Sequence, residues 1–163
     1  GYKTIAFGND TTFSSSNTIG TFLNGEYLKN NSYLTSEQVN MIADNTVWYL
    51  GGVGSGVSYK LTKYKNVSTS ELTTNTTTAK IGLLRLGELM SGQFDKNGNN
   101  ASYWLLTPYV SPLVRNTYFQ GVGSNNNSSE LYNIRPTMNL KSNVIITGGD
   151  GTKNSPFTIN LNN

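Results

Sequence analysis

The side chains that could do chemistry in this sequence are carboxylates, amines, tyrosines and amides, because its 163 residues include no His and no Cys. Without these two types, Ser-His and Cys-His catalysis, zinc-thiolate sites and disulfides are excluded. Catalysis would have to use the nine carboxylates, the twelve lysines and arginines, or the ten tyrosines. We therefore predict a binding protein without catalytic residues, not an enzyme.

Carboxylates and amides in two segments are the candidates for metal binding and proton transfer. Asp95, Asn97 and Asn99 have the alternating oxygen spacing of a calcium loop, but the Glu that completes such a loop is missing. We predict no metal site and no cofactor. A polysaccharide hydrolase would need two carboxylates across one cleft, and Glu88 has no such partner near it in sequence. A polysaccharide-active enzyme is therefore the least favoured alternative.

The composition is that of a folded, loop-rich chain. Hydrophobic residues make up 36% and the net charge is only +3, so the combination of low hydrophobicity and high net charge that produces disorder is missing. The basic residues are scattered, which argues against a nucleic-acid partner because such a footprint needs clustered positive charge. No apolar run reaches the length of about 18 residues that would span a membrane.

Hydrophobic spacing predicts the elements that must position these groups. A strand over 2–7 is followed by a helix over 18–30, where apolar residues recur at helical intervals. The capping box from Thr35 to Gln38 begins a second helix over 36–43. The Ser- and Thr-rich residues 66–78 are predicted to form an exposed loop.

The rest of the chain is predicted as strands and one short helix, over 85–90. Because helices come first and strands later, we predict a single domain, residues 1–163, of the α+β class with two N-terminal helices and a mainly antiparallel sheet. The predicted strands are 48–52, 57–61, 80–84, 103–107, 114–120, 134–140, 143–146 and 157–161.

Five segments carry a resemblance to known proteins: Trp48–Gly52, Ile81–Met90, Tyr103–Tyr109, Ile134–Asn143 and Gly148–Thr152. In this order and spacing they resemble a group of bacterial surface and phage-encoded domains with a C-type-lectin-like fold. That fold is shared with formylglycine-generating enzymes and with the variable proteins of diversity-generating retroelements. The resemblance implies a compact, loop-rich fold whose later strands and loops carry a ligand-binding face.

In the retroelement-diversified members, a segment near the C-terminus varies while scaffold residues within it stay fixed. The resemblance places the corresponding segment of this chain at 103–135. The ligand contacts that it implies are Tyr109, Ser111, Arg115, Asn116, Tyr118, Gln120, Asn125, Asn126, Asn127, Glu130, Tyr132 and Asn133.

A face of this composition is suited to recognition. Tyr offers a large contact area and a hydroxyl with little rotamer entropy to lose, while Ser, Gly and Asn add adaptable hydrogen bonds. Tyr109, Tyr118 and Tyr132 are the predicted anchors, and Arg115 is a predicted hot spot. The alternative left open for each Tyr is that its ring caps the core while its hydroxyl reaches water.

Three further residues are predicted to be structural. Arg135 is expected to be buried, either binding loop carbonyls or pairing with Glu88. Trp104 is expected in the core, and Asp150 is expected to fix its glycine-rich turn through its own side chain.

Two departures from the resembling proteins limit the chemistry. The chain lacks the Glu-Pro-Asn, Gln-Pro-Asp and Trp-Asn-Asp triplets of calcium-dependent lectins, and it lacks the cysteines of formylglycine-generating enzymes. Neither calcium-bridged sugar binding nor formylglycine generation is therefore expected.

These features predict an adhesin-like domain that binds a ligand or receptor outside the cell, on a cell surface or on a phage particle. The expected partner is a surface protein or a glycan. The alternative is a structural subunit of a pilus or a cell-envelope assembly. Because the sequence starts abruptly at Gly1, we expect a leader, an anchor or further strands to precede it.

A metal chelator is expected to leave both ligand binding and the melting temperature unchanged, because no complete set of metal ligands is predicted. The measurement is thermal unfolding, followed by circular dichroism, with and without EDTA. A sharp fall in the melting temperature or a loss of binding in EDTA would contradict this expectation.

Overall fold

A computed structural model describes residues 3–53, 71–91, 102–117 and 123–162. Within them the helical elements are short, and none is long and apolar enough to cross a membrane. They are α1 (Thr18–Thr21), a π-helical segment (Phe22–Glu26), α2 (Tyr27–Lys29), α3 (Ser36–Met41) and α4 (Leu86–Ser91).

The strands form small antiparallel sheets. Their pairs are β1–β8, β2–β3, β4–β9 and β10–β11, and β5, β6 and β7 form a sheet of three. The structure thus confirms a mixed α and β chain with mainly antiparallel pairing. The strands are β1 (Thr4–Ala6), β2 (Thr46–Tyr49), β3 (Thr76–Ala79), β4 (Ile81–Leu83), β5 (Trp104–Pro108), β6 (Leu113–Thr117), β7 (Gly123–Asn127), β8 (Leu131–Asn133), β9 (Pro136–Met138), β10 (Val144–Gly148) and β11 (Thr158–Leu161).

The helix predicted over 18–30 is not one regular α-helix. It begins where predicted, with the Asn17 side chain accepting from the Gly20 N–H at 2.9 Å, but a π-helical segment then separates α1 from α2. Within that segment, the Asn24 amide bonds both the N–H and the carbonyl of Ile81, each at 2.9 Å. The distorted turn thus presents Asn24 to β4, which ties the helical region to the sheet. The prediction of two plain N-terminal helices is wrong in this respect.

The second predicted helix starts at its capping box and ends early. Thr35 and Gln38 exchange both bonds of the box, at 2.9 and 3.2 Å, which confirms that prediction. The helix ends at Met41 instead of residue 43, because the Met41 carbonyl accepts from the Lys141 N–H and the Ala43 N–H donates to Asn139. Tertiary pairing with the chain after β9 therefore replaces the last helical turn.

Two polar strands depart from the sequence-based predictions. Strand β3 begins inside the segment 66–78 that was predicted as an exposed loop, and β7 is built mostly from Ser and Asn. Thr76 and Thr78 are exposed on the outer side of β3, so the strand needs few apolar residues. The strand predicted over 57–61 lies outside the described residues.

The core is centred on Trp104, which is fully buried. Its ring lies 5.8 Å from that of Phe7 and 4.8 Å from that of Tyr132, both edge-to-face. The indole N–H donates to the Ile5 carbonyl at 2.9 Å. A buried Trp is stable only if its N–H finds such a partner, and here the partner belongs to β1.

Gly82 on β4 lets a second Trp approach the sheet. The Trp48 N–H donates to the Ala79 carbonyl at 2.9 Å, and this bond holds the ring flat against Gly82. A Cβ added at Gly82 would lie 2.7–2.8 Å from three Trp48 ring carbons, which is closer than real atoms approach.

Gly82→Ala is expected to lower the free energy of unfolding by about 1–3 kcal/mol, because the added methyl group overpacks the site beside a rigid ring. The matched control is Gly25→Ala, where an added Cβ meets no atom within 4 Å. That variant is expected to keep or raise stability. Urea unfolding of the two variants and the native chain measures the difference, and equal stabilities of the two variants would contradict the packing argument.

Candidate functional site

The predicted contact residues on the β6–β7 hairpin lie on two opposite faces, not on one. Arg115 pairs with Asn125 across the strands, and Val114 pairs with Asn126. Residues directly opposite in an antiparallel pair point to the same side, and successive residues alternate sides. Arg115 and Asn125 therefore share one face, and Asn126 shares the other with the buried Val114.

Arg115 is a structural residue, not an exposed hot spot. Its side chain is only 3% exposed, and its Nε and Nη2 donate to the Val53 carbonyl at 3.3 and 3.0 Å. The Tyr109 ring covers the guanidinium at 4.3 Å from the ring centroid. A buried guanidinium must satisfy its donors inside the protein, and this requirement removes Arg115 from the contact surface. The prediction of a direct ligand contact is therefore wrong for Arg115.

The burial predicted for Arg135 is also wrong, but in the opposite direction to that of Arg115. It was expected to be buried, but its side chain is exposed and lies over the Tyr103 ring at 4.7 Å. Glu88 accepts from the Arg85 guanidinium and from the Arg85 backbone N–H, each at 2.9 Å. Arg115, which was predicted to contact ligand, binds a loop carbonyl, that of Val53.

The second face of the hairpin carries a chain of polar contacts. Asn116 donates to Asn126 at 3.0 Å, Asn126 donates to Glu130 at 3.1 Å, and the Tyr132 hydroxyl lies 3.5 Å from the same carboxylate. Burial, followed by the negative charge of Glu130, raises the pKa of Tyr132. Asn116 is only 1% exposed because it completes this chain from inside, so the prediction that it contacts ligand directly is wrong.

Tyr132 matches the alternative stated for the tyrosines. Its ring packs against Trp104 and is half-buried, while its hydroxyl points toward Glu130. Tyr109 is half-buried over Arg115. Each ring therefore covers a buried group with one side, and only the remaining side can touch another molecule.

The other predicted contacts have local roles or lie outside the described residues. Asn127 accepts from the Ser129 N–H and hydroxyl in the turn after β7, and Asn133 donates to the Ser102 carbonyl at 2.9 Å. Tyr118, Gln120 and the loop with Asp95, Asn97 and Asn99 are not among the described residues.

Asp150 has the structural role predicted for it. Its carboxylate accepts from the Thr152 N–H at 2.9 Å, and this bond holds the pKa of Asp150 below its usual value. The turn has glycines with positive φ on both sides, Gly149 and Gly151. These contacts account for the carboxylate without a metal ion.

A polar cleft of about 410 Å³ contains one of the predicted contacts, Ser111. Ser111 meets two segments that the sequence did not single out, the loop 9–14 and strand β3. Because these three segments are far apart in sequence, no local pattern indicated the cleft. Its lining residues are Asn9, Asp10, Thr11, Thr12, Phe13, Ser14, Leu50, Thr76, Thr77 and Ser111.

The walls of this cleft are fixed to the same hairpin. Phe7 and Phe13 are buried at the two ends of the loop 9–14, and the Gly8 N–H donates to the Ser128 carbonyl at 3.1 Å. The Ser128 N–H in turn donates to the Pro112 carbonyl, at 3.0 Å, next to Ser111. The loop and the turn that carries Ser111 are therefore held in one geometry by backbone hydrogen bonds.

The cleft is lined by hydroxyls and one carboxylate, together with the apolar Phe13 and Leu50. Its Thr and Ser hydroxyls both donate and accept hydrogen bonds, and Asp10 supplies an acceptor with negative charge. Among the lining residues that the structure describes, none is basic. The cleft is thus suited to a neutral, hydroxyl- or amide-rich ligand and not to an anion.

Glu71 is a buried carboxylate that the sequence did not indicate, since it lies in the segment predicted as an exposed loop. It is fully buried and accepts from the Gly87 N–H at 2.7 Å and from the Thr107 hydroxyl. Thr107 itself accepts from the Leu86 N–H at 2.8 Å. Both contacts satisfy free N–H groups in the first turn of α4, so Glu71 and Thr107 cap this helix from a distance.

Three of the described carboxylates lie in different surroundings. Asp10 lines the polar cleft alone, Glu71 is buried in its capping role, and Glu88 is bound to Arg85. The same part of the chain holds no group of three or more His, Cys, Asp or Glu side chains suited to a metal ion.

Comparisons with known proteins add no identification. No protein-family model, no curated protein and no solved structure matches the chain. The C-type-lectin-like fold and the membership suggested by the resemblance therefore stay predictions.

Glu71 predicts a dependence of stability on pH. Burial raises the pKa of Glu71, although its bonds to Thr107 and Gly87 oppose the shift. A carboxyl whose pKa is higher in the folded than in the unfolded state adds to the free energy of unfolding at low pH. This contribution is lost as pH rises from the unfolded pKa, about 4.3, through the raised folded pKa. Glu71→Gln stays neutral, so its stability relative to the native chain is expected to increase over this window and then level off.

The matched variant Glu71→Ala removes both acceptors and is expected to lose about 1–3 kcal/mol, because two buried donors lose their partner. Urea unfolding of the three chains from about pH 4 to pH 7.5 makes the comparison. Parallel pH profiles for the native chain and Glu71→Gln, together with an unaffected Glu71→Ala, would show that Glu71 is not buried as described.

Proposed function

We propose that this chain is an extracellular, adhesin-like ligand-binding module whose contact site is the polar cleft around Ser111. The observation that carries the proposal is the convergence of three distant segments on one concave surface of hydroxyls, amides and a single carboxylate. The backbone bonds from Gly8 and Ser128 support it, because a site fixed before binding loses less entropy when the ligand arrives. The bound molecule is a glycan or a protein on another surface.

With the main contacts in the cleft, the segment 103–135 has a smaller role in binding than was predicted. Ser111 enters the cleft, and Tyr109 starts the same turn, which its N–H closes with a 3.1 Å bond to Leu113. Asn125 and Asn127 are half-buried on the Tyr109 side of the hairpin. We place the main contacts in the cleft and the adaptable contacts on this side of the hairpin, with display on a cell or phage surface as the resemblance suggests.

A second candidate function, a structural subunit of a pilus or cell-envelope assembly, is favoured by a different surface. The last hairpin exposes Ile146 at 62% and Ile159 at 39% on one face, and Phe157, just before the last strand, is 55% exposed. Apolar side chains gathered in this way often mark a protein contact. An assembly subunit would use this surface and leave the polar cleft empty.

Thr76→Arg is expected to lower binding to any molecule that the native chain retains on a glycan and protein array by at least about tenfold, the effect of losing 1.4 kcal/mol. Thr76 lines the cleft, and a long charged side chain would fill it. The matched control is Thr78→Arg on the same strand, a threonine that is also exposed but does not line the cleft. This control is expected to bind as the native chain does.

Equal binding by Thr76→Arg and Thr78→Arg would remove the cleft as the site. Tyr109→Ala and Tyr132→Ala then decide whether the hairpin binds by itself. Loss of binding in either variant, at an unchanged melting temperature, would move the site to that face of the hairpin. Full binding in all four variants would contradict both locations.

A further inference from the structure

The hairpin formed by β10 and β11 is poorly supported by the rest of the described chain. Its two strands pair with one another and with no other described strand. An isolated two-stranded hairpin is marginally stable in water. Its register brings Val144 opposite Leu161 and Ile146 opposite Ile159, so four aliphatic side chains share one face.

This apolar face lacks a full cover. Ile146 is 62% exposed and Ile159 is 39% exposed. Phe157, 55% exposed, lies two residues before Ile159 and extends the same row. Four large apolar side chains of this face and the groove beside it, Leu140, Ile146, Phe157 and Ile159, are about half exposed, which at about 150 Å² for each side chain amounts to roughly 300 Å². Patches of about 300–600 Å² are the largest on typical monomers and are often functional.

The face also forms one wall of an apolar groove of about 580 Å³. Leu34 before α3, Met41 at its end, and Met138 and Leu140 at and after β9 line the same groove. The hairpin face and the groove are therefore one continuous surface. A specific interface buries about 800 Å² on each partner, so a partner on this surface would also contact polar residues around it.

The chemistry of the surface indicates its occupant. No charged residue occurs between Lys141 and Asp150 or after Lys153, so both strands are uncharged. Natural proteins protect open strand edges with Lys or Pro residues or with covering elements. These two strands contain neither Lys nor Pro. The groove is lined mainly by apolar side chains, together with Thr35, Glu37 and Gln38, and the hairpin of another copy offers an uncharged apolar element that itself needs a cover.

We propose that this surface binds a second copy of the same chain, with the hairpin of each copy covering the groove of the other. A twofold contact uses the same patch on both partners, so one arrangement covers both apolar surfaces. The uncharged strands bring no like charges together when two copies meet. This self-association does not depend on the polar cleft, which lies on other segments of the chain.

Analytical ultracentrifugation of the native chain from about 1 to 200 µM tests the proposal. The expected result is a reversible dimer whose dissociation constant rises at least about tenfold in Ile146→Lys and in Ile159→Lys. The matched control is Asn160→Lys, which adds the same charge next to Ile159 but on the opposite face. It is expected to dimerise as the native chain does.

Ile146→Lys keeps the test decisive if Ile159→Lys fails to fold, because Ile146 is the more exposed side chain. A native chain that stays monomeric over the whole range would overturn the proposal. So would a dimer that Asn160→Lys weakens as much as Ile146→Lys. Array binding by Ile146→Lys separates this result from the ligand-binding proposal, since the variant is expected to bind as the native chain does.

Discussion

The indole of Trp104 joins the beginning of the chain to its later strands. Its N–H bonds the Ile5 carbonyl, and its ring contacts Phe7 on one side and Tyr132 on another. Three elements that are distant in sequence therefore share one buried side chain. The polar cleft depends on this arrangement, because the loop 9–14 leaves the core directly after Phe7 and returns to it at Phe13.

Around this centre, side chains complete the backbone hydrogen bonding that short strands leave open. Asn24 bonds both backbone groups of Ile81, Arg115 binds the Val53 carbonyl, and Glu71 accepts from Gly87. Buried N–H and C=O groups need such partners. A loop-rich chain with strands of three to five residues, like this one, meets the need with polar side chains inside. These buried polar groups therefore have structural partners inside the protein.

Structural features that depend on residues close together in sequence were predicted correctly, whereas features that depend on residues far apart in sequence were not. The capping box at Thr35 and the buried strands around Ile81 and Trp104 follow from residues that are close together. Strand β3 was missed because its threonines are polar and only its partner strand makes it regular. The helix over 18–30 was predicted as regular because the bond from Asn24 to Ile81 joins residues 57 positions apart.

In the candidate site, too, local features were predictable and long-range ones were not. Composition identified Ser111 and the tyrosines, but it could not tell which face of the hairpin each residue takes. Arg115 was assigned outward and Arg135 inward, whereas strand alternation and the Val53 carbonyl place Arg115 inside. The carboxylate of Glu71 had no partner within its own segment, so its burial could not be inferred. The cleft itself exists only after three segments have folded together.

The central claim is that Trp104 and the Gly8–Ser128 bond hold the cleft in place before any ligand arrives. Amide hydrogen exchange followed by NMR tests it on the chain alone, because an amide that opens only on global unfolding exchanges with the full unfolding free energy. We expect the Gly8 amide to exchange as slowly as the core amide of Leu106, which donates to Leu84 at 2.8 Å. Exchange of Gly8 at least about a hundredfold faster than Leu106, the sign of local opening, would contradict a preformed cleft.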